Sequence, residues 1–233
     1  MVGALCGCAA SAHARVSLEQ ALIMAAPQAN PKVIQLAVKA SACAARYGQA
    51  GAQRLAVIDY SRPSTQPRLW VFDLPQRRLL YSELVAHGRN SGENYAHSFS
   101  NTLGSYESSL GLFLTQAPYN GQNGYSLRMQ GLEAGFNDRA QERAIVMHGA
   151  PYVTTQFLRT EGRLGRSLGC PAVRPEVARP LIDSLKGGQY IFAYYPDPKW
   201  LASSRYLQCN APRNAHANRA IAATNTALAT QTR

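Results

Sequence analysis

Between residues 54 and 195 the apolar residues come in short runs of four to eight, at 55–60, 69–74, 79–86, 110–115, 125–130, 144–147 and 189–195. The runs are rich in Val, Ile, Leu and aromatics and are broken by Pro, Ser, Gln, Gly and Asn, which punctuate strands rather than helices. The pairs Asn120-Gly121 and Asn123-Gly124 mark a turn between the runs at 110–115 and 125–130. A chain patterned this way is expected to be mainly β.

Helical signals stand at both ends of this β-rich stretch and once within it. Ser17-x-x-Gln20 is a capping-box pattern opening a short helix through Ala26, and Asn30-Pro31 opens a second whose apolar face is Val33, Ile34, Ala37 and Val38, closed by Gly48. The other lies at 175–185, where the pattern predicts a helix interrupted or restarted at Pro180 and stopped by Gly187-Gly188. A short helix is also expected near Phe157. The polar stretch 88–105 reads as a long loop, which in a compact domain is more often functional than idle.

These signals divide the 233 residues into a signal-like segment at 1–14, a helical segment at 15–50, one β-rich domain at 51–209 and a disordered tail at 210–233. The first segment lacks acids and ends Ala12-His13-Ala14 before Arg15, the pattern of a secretory cleavage site. Leu5-Cys6-Gly7-Cys8 also resembles a lipidation site and ranks below ordinary cleavage. Export to the periplasm or cell envelope is expected. No apolar run reaches the roughly 20 residues that cross a bilayer, so stable membrane insertion is not expected. The net charge of +11 is spread along the chain and selects no partner by itself. With no zinc-knuckle spacing and no RNP-type strand, nucleic acid is not an expected partner.

Cleavage after Ala14 leaves Cys43, Cys170 and Cys209, an odd number consistent with one disulfide and one free thiol. A Cys43–Cys209 bridge would tie the chain ends together. A buried, unpaired Cys43 is the alternative.

The chemistry concentrates in two motifs. The apolar run ending at Met147 delivers His148-Gly149, and 22 residues after His148 comes Ser167-Leu168-Gly169-Cys170-Pro171. A thiol attacks as thiolate, so a nucleophilic cysteine needs a base and positive surroundings. His148 is the candidate base, and Arg163, Arg166 and Arg174 supply charge. Gly169 permits close backbone approach, so the amides of Gly169 and Cys170 are candidate oxyanion donors. His87-Gly88-Arg89 imitates the second histidine pattern but sits in a separate polar segment, better suited to a pocket wall or a structural hydrogen bond.

These residues resemble the YkuD-type murein L,D-transpeptidases, whose signature is a strand ending in His-Gly followed by Ser-His-Gly-Cys. The matching residues are 145–149 and Ser167-Leu168-Gly169-Cys170, with Ser108-Ser109-Leu110-Gly111 similar to the family's strand entry. Stretches 85–89, 99–101 and 165–173 are similar to a subgroup of murein L,D-transpeptidase catalytic domain proteins, and the likeness spans about 30–200. It implies a β-sandwich-like catalytic fold with N-terminal helices and a helix after the nucleophile. It also implies acyl transfer on peptidoglycan stem peptides, with Cys170 as nucleophile, His148 as base oriented by the Gly149 carbonyl, and Ser167 and Gly169 shaping the site. No metal or cofactor is implied, and carbapenem-type compounds are implied inhibitors. Two departures stand out. Leu168 replaces the family's His, and Ala172 replaces its Arg two residues after the cysteine, so a substrate carboxylate must be met by Arg174, Arg166 or Arg89, with His87 at the pocket wall. An L,D-carboxypeptidase, a general cysteine peptidase and a non-catalytic wall-binding module are the other readings.

Overall fold

A computed structural model describes residues 16–49 and 51–209, so the expected signal segment and tail lie outside the described residues. Ser17 opens α1 (Leu18–Ala25) with the expected capping box, its hydroxyl meeting the Gln20 amide while the Gln20 side chain returns to the Ser17 amide. Asn30 caps α2 (Pro31–Arg46), with Pro31 in the first turn, where its missing N–H costs nothing. The buried face of α2 is Val33, Ile34, Ala37, Ala40, Cys43 and Ala44, and it packs on the sheet. Disulfide-bonded Cys43 and Cys209 join α2 to the chain after the last helix across 166 residues of sequence. Closing a loop of that length removes about 5 kcal/mol of unfolded-chain entropy in the chain-entropy account.

The strands are β1 (Arg54–Asp59), β2 (Leu69–Asp73), β3 (Arg78–Glu83), β4 (Gly111–Gly121), β5 (Gly124–Gly131), β6 (Val146–Gly149), β7 (Ala172–Val173) and β8 (Tyr190–Tyr194). They form one sheet in the order β3-β2-β1-β8-β4-β5-β6-β7. The mainly β class expected from the sequence is the class observed. Pairings are antiparallel except β1 with β8 and β6 with β7. β2 and β8 are buried at every position and β1 at all but its first, as strands covered on both faces must be. Their continuous apolar runs reflect that.

The remaining helices are α3 (Thr155–Glu161), α4 (Pro175–Leu185) and α5 (Pro198–Ser203). The expected break at Pro180 does not occur: α4 runs through it and buries Ala178, Leu181, Ile182 and Leu185. Burial of that face outweighs the one backbone bond the ring removes. Neither β7 nor α5 was expected. β7 is two residues long and has no periodicity to read, while α5 is opened by an Asp197 cap on the Trp200 amide and anchored by buried Trp200. The Trp200 indole N–H donates to Glu133, which also accepts from the Leu112 amide, tying α5 to β4. No helix among the described residues is long and apolar enough to cross a membrane.

Candidate active site

The register of β6 and β7 sets the site. His148 pairs with Ala172 in parallel, and the ladder extended backwards by two residues puts Cys170 beside Val146. The Val146 N–H does point at the Cys170 sulfur, at 3.5 Å. The sulfur thus sits at the edge of β6 beside Val146, two residues before His148 on that strand. Gly149 ends the strand where α4 crosses it: a Cβ there would lie 2.8 Å from the Ala178 Cβ.

His148 is nearly buried and its Nδ1 lies 2.9 Å from the Gly149 carbonyl oxygen. A carbonyl only accepts, so Nδ1 carries the proton and Nε2 is left as the basic lone pair. Burial lowers the imidazole pKa, which the Gly149 bond partly offsets. Cys170 is the free cysteine among the described residues and is 8% exposed. Its thiol points to the Ala144 carbonyl at 3.7 Å rather than to the imidazole. Burial pushes the thiol up, opposed by the Val146 N–H and the Arg143 guanidinium. The resting pair is thus a neutral thiol and a neutral imidazole, and a proton moves only when the thiol turns toward Nε2.

The nucleophile turn is shaped by its own residues. Ser167 donates to the Cys170 carbonyl at 2.6 Å and accepts the Gly169 N–H at 3.1 Å. This corrects the expectation for Gly169, whose amide is already committed and is not a free oxyanion donor. Gly169 is required for another reason: it takes φ 121°, and a Cβ would meet the Glu107 carbonyl at 2.8 Å. Among the described residues no acceptor meets the Cys170 N–H.

The segment 85–89 lies along the same turn. Ala86 donates to the Ala172 carbonyl, Ser167 to that of His87, and Arg89 to that of Ser167. A Cβ on Gly88 would lie 2.9 Å from the Gly169 Cα and 2.4 Å from the Tyr106 carbonyl. Ser108 closes the arrangement, accepting from the Gly88 amide and donating to the Gly169 carbonyl. Of the two roles expected for His87, pocket wall or structural hydrogen bond, it has the second. It is 1% exposed, with Nδ1 2.7 Å from the Arg68 guanidinium and Nε2 3.2 Å from the Gly92 carbonyl. Burial first, and the Arg68 charge second, hold its pKa down at about 3.

The arginines expected at the substrate are each held. Arg174 forks onto Glu83 with both bonds under 3 Å, at 2.9 and 2.8 Å. Arg166 pairs with Glu93 and reaches the Arg89 and Gly92 carbonyls, and Arg89 stacks 4.3 Å over Tyr106. Ala172, where the resemblance led to an arginine being expected, is fully buried and pairs with His148 and Ala86. Leu168, in contrast, is 58% exposed at the tip of the turn.

Sequence reasoning missed Arg143. It donates to the Ser100 and Glu107 carbonyls and to the Ser105 and Ser109 hydroxyls, pinning the loop at 98–109, while its charge acts on Cys170. Its place three residues before β6, the strand that carries His148, was the available signal. Ala144, next to it, takes φ 53°, an uncommon conformation for a residue with a side chain, and its carbonyl receives the Cys170 thiol.

The chain is similar in structure to an L,D-transpeptidase from Mycobacterium smegmatis, at 15% identity and TM-score 0.39 over 62% of this chain and 60% of that one. An L,D-transpeptidase from Stackebrandtia nassauensis is matched at 15% identity and TM-score 0.37, over 72% of this chain and 68% of that one. An L,D-transpeptidase solved in complex with imipenem is matched at 14% identity and TM-score 0.38, over 62% and 60%. The chain spans about three fifths of the length of the first of these. No curated protein is matched. The L,D-transpeptidase catalytic domain matches residues 25–194, taking in both histidine motifs, the nucleophile turn and every strand of the sheet. The chain belongs to the L,D-transpeptidase catalytic domain family.

Proposed function

We propose that this protein is an exported cysteine acyltransferase that acts on peptidoglycan stem peptides, with Cys170 as nucleophile and His148 as base. The observation that carries the reading is a free thiol held on the Val146 N–H, two residues before an imidazole whose Nε2 is basic, in a chain of this family. The thiol turns from the Ala144 carbonyl to His148 and gives up its proton, and the thiolate attacks the peptide carbonyl. The Cys170 N–H is the donor offered to the oxyanion. The C–N bond breaks as the imidazolium returns the proton to the leaving amine, leaving a thioester on Cys170. An acceptor amine then attacks the thioester, its proton passing to His148, and the C–S bond breaks to return the thiolate. Water in place of the amine makes the same site a carboxypeptidase.

Digestion of purified sacculi, read by mass spectrometry of the muropeptides, tests this. New cross-links are the expected result and shortened stems alone favour hydrolysis. Sacculi left unchanged, together with no mass increase on Cys170 when the protein meets a carbapenem, would overturn the reading in favour of a wall-binding role.

A further inference from the structure

The peptide unit between Gly169 and Cys170 is held from one side. Its carbonyl accepts from the Ser108 hydroxyl at 3.1 Å, and its N–H, on Cys170, meets no acceptor among the described residues. The peptide is trans, so carbonyl and N–H lie on opposite edges of one rigid plane. A hydroxyl that fixes where the Gly169 carbonyl points therefore fixes the Cys170 N–H in the opposite direction. The Gly169 N–H is already spent on Ser167, so the Cys170 N–H is the donor the turn has left, and its aim decides how well an oxyanion is met.

Ser108 is itself held at every polar group. It is 1% exposed, its N–H donates to the hydroxyl of fully buried Ser91 at 2.9 Å, and its carbonyl receives the Ser100 N–H. Its hydroxyl accepts from the Gly88 amide at 3.0 Å, and since an N–H only donates, the single hydroxyl proton goes to the Gly169 carbonyl. Gly169 supplies no such restraint of its own: without a Cβ it tolerates rotation of the following peptide plane that another residue would resist. The adjacent Ser109 gives a contrast. It is buried too, but its hydroxyl donates to the Ser100 carbonyl and accepts from Arg143, away from the nucleophile turn.

We infer that Ser108 is the positioning residue of the oxyanion donor: by holding the Gly169 carbonyl, its hydroxyl aims the Cys170 N–H at the oxygen of the carbonyl under attack. Ser108 touches neither substrate nor sulfur and acts through the peptide plane alone. The inference rests on Cys170 being the nucleophile of an acyl transfer and deepens that reading.

The test compares two reactions of Cys170 in the full chain. Acylation by a carbapenem passes through an oxyanion, whereas alkylation by iodoacetamide is a displacement at carbon that develops none. Ser108→Ala should slow acylation about ten- to hundredfold and leave both the iodoacetamide rate and the midpoint of its pH profile unchanged. Ser109→Ala should leave the ratio of the two rates where it is. Ser108→Thr keeps the hydroxyl and should hold the ratio near wild type, while Ser108→Val, of the same shape without it, should lower the ratio as Ala does. That pair carries the test if the Ala variant does not fold. A ratio unmoved in Ser108→Ala, or equal in the Thr and Val variants, overturns the assignment. So does a parallel fall of both rates, which would mean that Ser108 only supports the turn as a whole. A wild-type protein that is alkylated but never acylated defeats the acyl-transfer reading and this inference with it. Acylation that proceeds without regard to the Ser108 hydroxyl defeats the inference alone.

Discussion

The chain carries two His-Gly dipeptides beside the same nucleophile turn, and the structure uses them in opposite ways. His148 stands one residue before the end of β6, keeps one nitrogen on the Gly149 carbonyl and leaves the other as a base. His87 spends both nitrogens, one on buried Arg68 and one on the Gly92 carbonyl, while its backbone carbonyl receives the Ser167 amide. Arg68 in turn reaches the Val85 and Arg62 carbonyls and lies 5.4 Å over Tyr60, so His87 belongs to a buried polar cluster that fixes the segment on which the turn leans. A histidine next to a glycine is therefore not a base by virtue of the motif. What separates the two is whether a lone pair is left over.

The sharpest way to break this comparison is to remove each ring. His148→Ala should slow acylation of Cys170 by a carbapenem on the order of 10² to 10⁴, the usual worth of a general base, while His87→Gln should leave the acylation rate within a few-fold. Intact-mass kinetics decide it, and the reverse pattern would invert the assignment.

A second contrast appears in stability. His87 titrates near 6.5 when unfolded and at about 3 when folded, so between those values the unfolded chain binds the extra proton. Stability is therefore full above about pH 6.5 and falls as pH drops toward 3, by roughly 3 to 5 kcal/mol if no relaxation intervenes. Urea unfolding from pH 7 to pH 4 should show this loss, and His87→Gln should flatten it. An identical slope in the variant would place the acid sensitivity elsewhere.

The sequence showed what depends on local pattern. The capping box at Ser17, the Pro31 helix start and the apolar runs of β1, β2 and β8 are readable because neighbours in sequence decide them. The nucleophile turn was readable because Gly169-Cys170 is a local motif. The two-residue β7 and the partners of His87 and Arg143 were not, because each is set far along the chain: Ala172 by Ala86 and His148, His87 by Arg68, Arg143 by the loop at 98–109. The ion pairs of Arg174 and Arg166 were hidden for the same reason, since Glu83 and Glu93 lie 91 and 73 residues from the arginines they hold.

A smaller effect should come from the glycines. Gly88→Ala sets a methyl against the Gly169 Cα and the Tyr106 carbonyl, and overpacking of this kind costs about 1 to 3 kcal/mol. Part of that strain should appear as displacement of the turn, slowing iodoacetamide labelling of Cys170 by about tenfold. Gly149→Ala presses on α4 at Ala178 instead and should lower the melting temperature with less effect on labelling. Equal effects of the two on labelling would mean that the His87 segment does not support the turn separately from β6.

The smallest expected effect concerns the charge that both segments lack. Neither histidine is protonated at rest, so the cation that favours the Cys170 thiolate is Arg143, acting against burial. Arg143→Met removes that charge and should move the midpoint of the alkylation-versus-pH curve upward, which lowers the iodoacetamide rate at pH 8 by about three- to tenfold. Arg143→Met also frees the loop at 98–109, so a lower rate alone does not separate charge from order. Arg143→Lys keeps the charge while losing the fork that holds Ser100, Ser105, Glu107 and Ser109 together. If charge governs, Lys restores the midpoint while the loop remains susceptible to protease. If order governs, the midpoint stays where it was in both variants and only the rate falls, and the thiolate must then be stabilised by the Val146 N–H alone.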